Sequence, residues 1–419
     1  MRVGANPLKK PIQGATLVVA PLTTLESTWV YHFNELTDLK TFVVDPKERA
    51  ASFQDFVNLR GHVFMVHWEA LRLMPELNSI QWLHIIADEC HRMKNRKAQQ
   101  TRALKTLSGM CRTAMSGTPV VNRPDELWSV LNWLYPTFYR SYWKFFNKYV
   151  DYNTKQVHGR TYREILGPRN PTGLLAEIRP FYVRRRKKDV LKDLPDKYYT
   201  EIKVDLTPTQ RKAYETMRKE MIAWVGNQQE ELLAAPVVIA QLTRLQQFAV
   251  SYADIDSDGR VRLTEPSSKL DALMEILDDT EDQVVVFSRF RQLVSLLARR
   301  LEDRSIPYSR ITGDVPNAER AGVVQRFQRG ESRVFIGTIG AGGVGINLHA
   351  ASIVVFLDRD WSPALNLQAE DRLHRIGQKN AVQVIDIMAR KTVDAGRHQK
   401  LEIKKSWIAQ VLGDPKEEE

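Results

Sequence analysis

Cysteine is nearly absent: the 419 residues contain only Cys90 and Cys111, with no C-x-x-C pair. That excludes a disulfide framework and a cysteine-built zinc site, and it fits a reducing compartment. Long apolar runs are missing too. Stretches such as Leu17 to Ala20 and Val284 to Phe287 fall far short of the roughly 20 residues that cross a bilayer, so no membrane partner is expected. The opening residues, MRVGANPLKKPIQG, carry basic side chains with no apolar core behind them and do not read as a secretory signal. The chain is therefore expected to stay inside the cell, in cytoplasm or nucleoid if its source is bacterial or viral and in the nucleus if eukaryotic. No internal repeat is visible.

What is present is enough apolar residue, 43% of the chain, to build two or three buried cores at ordinary domain sizes. Lysine and arginine number 61 against 50 acidic residues, a net charge of +11. Such an excess favours a polyanionic partner through phosphate neutralisation and counterion release, although charge without a motif does not identify one.

Short β-branched runs alternate with helical patterns in two regions, which predicts parallel sheets with crossover helices. In the first region strands are expected at Thr16–Ala20, Thr41–Val44, Val63–Val66, Leu83–Ala87 and Thr113–Ser116. In the second they are expected at Val284–Ser288, Tyr308–Ile311, Val334–Gly337, Ile353–Leu357 and Val382–Met388. From about Trp128 to Arg262 the pattern becomes helical and rich in aromatics, which at this spacing pack on one another more often than they stack on bases. The polar stretch YADIDSDGRVRLTEPSSK reads as the linker into the second region.

Asp88 and Glu89 follow the strand LHIIA, at a carboxyl end, where open α/β sheets build their sites. One carboxylate can hold Mg²⁺ through water while its neighbour orients or deprotonates the water that attacks a γ-phosphate. In isolation, an adjacent acidic pair more often simply favours a helix N-terminus. The surroundings shift that balance. In order, LVVAPLTTLESTW, MVHWEAL, ADECHRMKN and TAMSGTPVVNRPDELWSVLNWL resemble the blocks of the first lobe of superfamily 2 helicases, in a wording similar to the Swi/Snf type.

The resemblance implies roles residue by residue. Asp88 is the Mg²⁺-binding carboxylate and Glu89 the water-activating one of a DECH box; His91 lies on the nucleotide side; Ser116 and Thr118 couple nucleotide state to DNA grip. Pro21, Thr23 and His67 contact the DNA backbone. Cys90 stands where Ala is common, a small-for-small exchange.

The second region extends the likeness. Gly337, Gly340, Gly342, Gly343 and Gly345 follow the strand RVFIG without the spacing of a dinucleotide-binding loop, but the full run TIGAGGVGINLHAASIVVFLDRDWSP resembles the Swi/Snf block that links DNA track to nucleotide. It implies Gly343 and Gly345 near phosphate, where glycine permits close backbone approach, and Asn347 at DNA. In QAEDRLHRIGQ, Arg372 and Arg375 are one helical step apart and are expected on one helix face. Two such arginines usually only solvate a helix; here they resemble arginine fingers that close across a cleft to neutralise the transferred phosphoryl group, with Gln378 on the nucleotide side. VVVFSRFRQLVSLLARRL implies Ser288 and Arg289 at the DNA backbone. SSKLDALMEIL, FYVRRRKKDVLKDLP and RKTVDAG complete a likeness running from Thr16 to about Thr392, and the basic run Arg184 to Lys188 reads as a phosphate-facing brace rather than a localisation signal.

The implied architecture is α/β: two RecA-like parallel-sheet lobes with a helical insertion, divided as an ATP-binding lobe at 1–139, insertion and linker at 140–262, C-terminal lobe at 263–392 and a C-terminal helix and tail at 393–419. The implied activity is a DNA-dependent ATPase that uses ATP and Mg²⁺ to move on duplex DNA. One part is missing. The G-x-x-x-x-G-K-[ST] loop that cradles β- and γ-phosphates occurs nowhere in the sequence, and its place would precede the strand Leu17–Ala20. Three readings follow: a polypeptide shortened at its start, a split motor whose loop comes from a separate polypeptide, or a non-catalytic DNA-binding subunit. A strand-separating DNA or RNA helicase is the alternative within enzymes.

Overall fold

The computed structural model describes residues 14–157, 160–227, 235–342 and 346–414. It divides into two compact units, the first formed by 1–155, 163–178 and 407–419 and the second by 156–162 and 179–406. Each is built around its own sheet.

In the first unit five parallel strands run in the order β2-β3-β1-β4-β5, with β1 at Thr16–Ala20, β2 at Thr41–Val43, β3 at Val63–His67, β4 at Trp82–Ala87 and β5 at Gly109–Ala114. Every residue of β3 and all but the first of β1 are buried, as expected of central parallel strands covered on both faces. An aromatic wedge fills the space behind them: Phe56 meets Phe64 at 5.0 Å and Trp82 at 6.0 Å between ring centroids. Register matters most at the carboxyl ends. Ala20 pairs with His67, Val19 with Ala87, and Ala87 with Ala114, so the residues that follow these strands emerge along one edge of the sheet. The strand expected at Thr113–Ser116 lies earlier, at Gly109–Ala114, and Ser116 falls in the loop beyond it. The displacement has a simple cause: β5 is an edge strand with no buried residue, so no alternation marked its start.

In the second unit six parallel strands run β12-β13-β11-β14-β15-β8, with β8 at Lys197–Val204, β11 at Val284–Ser288, β12 at Tyr308–Ile311, β13 at Val334–Thr338, β14 at Ile353–Phe356 and β15 at Val382–Ala389. Five of these match the strands expected from sequence to within a residue. The sixth, β8, arises from the stretch read as helical. It pairs along its whole length with β15, and its sequence KYYTEIKV has no fully buried position, the composition of an exposed edge.

The stretch between the two strand-rich regions does carry helices, at Tyr142–Tyr149, Pro171–Ile178, Pro208–Asn227 and Ala235–Val250. It also holds a two-stranded sheet of β6, Val150–Val157, and β7, Arg160–Pro168. The expected linker is instead an antiparallel hairpin of β9, Tyr252–Ile255, and β10, Val261–Thr264. Its turn is closed by Asp256 Oδ1, which accepts from the amides of Asp258 and Arg260, and by Gly259 at φ +73°. The polar stretch that read as a linker contains Asp258-Gly259, the usual chemistry of a tight hairpin turn. The aromatics of this stretch do pack on one another, Tyr142 on Phe146 at 5.6 Å and Tyr139 on Phe145 at 6.2 Å, while Phe138 and Trp143 remain exposed.

Candidate functional site

The acidic pair sits where β4 ends. The Asp88 amide donates to Val19 O at 2.8 Å, a last rung that ties the turn to β1. The next residue is forced into an uncommon conformation: Glu89 has φ +49°, a left-handed geometry that costs a non-glycine residue about 1 kcal/mol or more. It is held there from both sides. Asp88 Oδ1 accepts the Glu89 amide at 2.8 Å, and the Cys90 amide bonds Met115 O at 2.9 Å, which prolongs the β4–β5 pairing past the turn.

This geometry gathers a compact polar cluster. Ser116 Oγ donates to Glu89 Oε2 at 3.3 Å, and His91 Nδ1 lies 3.1 Å from the same oxygen and 3.2 Å from Ser116 Oγ. The Thr118 amide donates to Ser116 Oγ at 3.1 Å. The structure thus brings together Asp88, Glu89, His91, Ser116 and Thr118 within one unit. Pro21 and Thr23 follow β1, and His67 ends the adjacent β3, so the residues expected at DNA occupy the same edge of the sheet. His67 Nδ1 lies 3.2 Å from Glu69 Oε2, while its buried Nε2 has no hydrogen-bond partner among the described residues.

Two tryptophans that sequence reading did not single out fix the acid from behind. Trp29 Nε1 donates to Asp88 Oδ2 at 3.0 Å, and Trp68 Nε1 donates to the Asp88 carbonyl at 2.9 Å. Trp29 lies in Leu25–Val30, a π-helical turn, a rare geometry that recurs at functional sites. Burial raises the Asp88 carboxyl above the ordinary range; the Trp29 bond opposes this and the Glu89 charge adds to it. Burial, with the two neighbouring carboxylates, also pushes the Cys90 thiol up to about 12, so Cys90 is an inert packing residue. The donor set of Asp88 and Glu89 is all oxygen, half-buried and anionic, and it fits a hard divalent cation such as Mg²⁺.

In the second unit the expected residues are distributed differently. The helix Pro363–Glu370 ends before the arginines, and Arg372 and Arg375 lie in successive turns held by bonds such as Arg372 N to Ala369 O at 3.2 Å and Gln378 N to Arg375 O at 3.0 Å. The helical-step rationale for placing both guanidiniums on one face therefore does not apply. Arg372 Nη1 reaches Ile346 O at 3.4 Å and Arg375 is exposed. Gln378 is buried, its amide donating to Ala351 O at 2.8 Å and His349 O at 3.2 Å and accepting from the amides of Lys379 and Asn380; here it clamps its own loop. Asn347 Oδ1 lies 2.9 Å from His349 Nδ1. Gly343 and Gly345 lie outside the described residues.

Ser288 is fully buried and donates to Asp358 Oδ2 at 2.5 Å; the Arg289 amide bonds the other oxygen at 3.0 Å, and the Arg289 guanidinium reaches Gln246 Oε1 at 2.8 Å. Behind the arginine turns stands a buried ionic network that the sequence did not reveal. Arg359 pairs with Glu370 at 2.5 Å and with Asp386 at 2.6 Å, and Lys197 on β8 bonds Glu370 at 3.0 Å. Burial alone would raise the Glu370 carboxyl, but Arg359 and Lys197 outweigh it and hold it at about 2. The base of the arginine segment is accordingly fixed by charge.

The SNF2-related domain matches residues 5–250, more than half of the chain, and the helicase conserved C-terminal domain matches residues 268–377. The chain belongs to the Swi/Snf-type superfamily 2 ATPases. Its two sheets are the two RecA-like lobes of that family. Among relatives, the SWI/SNF chromatin-remodeling complex subunit snf22 of Schizosaccharomyces pombe is 28% identical over 415 residues, covering 92% of this chain and 24% of the relative. The transcription regulatory protein SNF2 of Saccharomyces cerevisiae is 30% identical over 410 residues, with the same coverage of 92% and 24%. The solved SWI2/SNF2 ATPase core of Sulfolobus solfataricus in complex with dsDNA is similar at 25% identity and a TM-score of 0.44, covering 96% of this chain and 83% of that one. The chain spans about a quarter of the length of these two curated relatives.

Proposed function

We propose that this Swi/Snf-type chain is the motor portion of an ATP-driven duplex-DNA translocase. The observation that carries this reading is the cluster at the carboxyl edge of the first sheet, where Glu89 Oε2 is shared by Ser116 and His91 while Asp88 is held separately by Trp29. Two carboxylates in unlike settings suit two roles. Glu89 orients and deprotonates the attacking water, and Asp88 is the residue that would hold Mg²⁺, whose chemistry is to neutralise charge on the phosphate oxygens. Ser116 ties Glu89 to the Thr118 amide, and through β1 and β3 the same edge carries Pro21, Thr23 and His67, so a change at the nucleotide is felt where the DNA backbone is gripped. Arg372 and Arg375 add positive charge to the transferred phosphoryl group. With Ser288 engaged by Asp358, DNA contact in the second unit falls to the Arg289 and Asn347 side chains.

The phosphate cradle comes, in this reading, from an adjoining segment or a second polypeptide. β5 favours that arrangement. It is an edge strand with Met110 and Cys111 exposed, and a strand added beside it would stand two sheet spacings, about 10 Å, from β4, bringing a following loop within reach of Asp88.

The test is ATP hydrolysis by the chain with its cradle present, fused or added in trans, with and without duplex DNA. Stimulation by duplex that falls steeply with salt and depends little on sequence is expected, because phosphate contacts carry little sequence information. Hydrolysis indifferent to DNA would refute the motor reading in favour of a binding subunit, and strand displacement without duplex tracking would point to a strand-separating helicase.

Trp29→Phe keeps the ring but removes the indole N–H from Asp88 Oδ2. Losing a hydrogen bond that orients a metal-holding carboxylate is expected to raise the Mg²⁺ concentration for half-maximal hydrolysis about tenfold. DNA affinity should be unchanged. A Mg²⁺ titration of hydrolysis beside a DNA-binding isotherm separates this from a general loss of fold.

A further inference from the structure

The basic run Arg184 to Lys188, expected to face phosphate, is put to another use at its centre. Arg186 pairs with Asp189 through two bonds of 2.7 and 2.8 Å, and Lys187 reaches the segment that carries Arg372 and Arg375. Its Nζ donates to His374 O at 2.8 Å and pairs with Asp371 Oδ1 at 2.9 Å. Both acceptors immediately precede an arginine. The His374 carbonyl and the Arg375 amide belong to one planar peptide group, so a bond to that oxygen fixes the root of the Arg375 side chain.

The chain after Lys187 strengthens the same hold. His374 Nε2 lies 2.7 Å from Pro195 O; a carbonyl oxygen only accepts, so Nε2 carries the proton and donates. Burial lowers the His374 imidazole below its ordinary value, in keeping with a neutral ring. On β8, Lys197 and Tyr199 stand two residues apart and therefore share a face of the strand, and each bonds Glu370 Oε2 at 3.0 Å. Lys187, Pro195, Lys197 and Tyr199 all belong to the second unit, as does the arginine segment they hold. That segment needs holding. The helix Pro363–Glu370 has ended before it, and Arg375 is exposed and makes no ion pair among the described residues, so its direction depends on the backbone beneath it.

We propose that Lys187 is a positioning residue for Arg375, fixing the His374–Arg375 peptide so that the guanidinium meets the transferred phosphoryl group. This rests on the motor reading above, in which Arg375 adds positive charge at that group. The ion pair to Asp371 carries little of the effect, because the Lys187 and Asp371 side chains are 38% and 29% exposed and pairs in contact with solvent contribute little. The bond to the carbonyl is the specifying contact. It sits one peptide from the residue to be aimed, and a misplacement of about 1 Å costs on the order of 10²-fold in rate. Lysine suits the place, since an ammonium on a long stem has three donors and can hold carbonyl and carboxylate together.

In the chain with its phosphate cradle present, Lys187→Ala is expected to lower kcat for ATP hydrolysis about tenfold while the KM for ATP and duplex affinity each stay within about a factor of two, because the contact displaced is one made in the transition state. Lys187→Arg keeps a cation with several donors and should lose about threefold or less. The deciding measurement is Lys187→Ala in an Arg375→Ala background. A positioning residue has nothing left to aim there, so the second substitution should cost less than about twofold more. Amide hydrogen exchange across residues 371–378, read without nucleotide, should quicken in Lys187→Ala. Equal losses in the two backgrounds, a rise in KM as large as the fall in kcat, or unchanged exchange would each overturn the proposal. Failure of the motor reading shows differently, as hydrolysis that duplex does not stimulate, and the comparison between the two backgrounds can still be made on that basal hydrolysis.

Discussion

Glu89→Gln is expected to lower duplex-stimulated ATP hydrolysis by about 10²–10⁴-fold, the usual effect of removing a positioned general base, while leaving duplex affinity within a factor of two. The amide is isosteric and can still accept from Ser116, so the left-handed turn and the β4–β5 pairing on either side of it should survive, and only proton acceptance is removed. The contrast with Ser116→Ala is informative. That variant removes the hydroxyl that donates to Glu89 Oε2 and accepts from the Thr118 amide, so it should reduce hydrolysis by a smaller factor and also weaken the dependence of hydrolysis on DNA. Steady-state hydrolysis measured with and without duplex, beside a binding isotherm, checks both. If Glu89→Gln and wild type hydrolyse ATP alike, the acidic pair is structural and the motor reading fails.

How far the sequence could be read depended on whether a feature was local. The strands Val284–Ser288 and Tyr308–Ile311 were legible to the residue because buried parallel strands are short β-branched runs with polar punctuation. The position of Asp88 and Glu89 at the carboxyl end of a strand was legible because they follow such a run directly. β8 was not, since in KYYTEIKV no residue is fully buried and only Ile202 and Val204, at its end, pack partly against the core. The β9–β10 hairpin was misread because polarity with Asp-Gly marks both linkers and tight turns, and only pairing distinguishes them. The arginine segment was drawn as a helix on spacing alone, yet the chain leaves the helix at Glu370, whose side chain is drawn into the Arg359–Lys197 network. Trp29 lies 59 positions from its partner, and no pattern within either segment announces the contact. Long-range polar contacts of this kind are set by tertiary packing and become visible only in the fold.

The largest expected loss of stability comes from the centre of the second unit. Lys269, fully buried, places Nζ 2.6 Å from Asp394 Oδ2 and donates to Leu357 O and Ile387 O, each at 2.8 Å. Arg397, 3% exposed, meets the other Asp394 oxygen at 3.0 Å, and the Ala389 amide also bonds this carboxylate at 3.0 Å. Asp394 is therefore in direct contact with two buried cations, which the buried Asp358 carboxylate also faces. Asp394→Ala removes the carboxylate in direct contact with both and is expected to cost about 3 kcal/mol, a fall in the melting temperature of this unit on the order of 10 °C. Lys269→Met should cost less, because the Asp394–Arg397 pair remains and the methionine fills similar volume. The sign of the pH dependence follows from the same contacts. Burial alone would raise the Asp394 carboxyl, but Lys269 and Arg397 outweigh it and lower it below its ordinary value. Its contribution is therefore fully present above the unfolded value, about 4, and is lost as pH falls through the folded one. Melting curves of wild type and Asp394→Ala should lie far apart at pH 7 and converge under strongly acidic conditions. If Lys269→Met proves the more damaging at pH 7, the two carbonyl bonds of the lysine rather than the shared carboxylate hold the centre of this unit together.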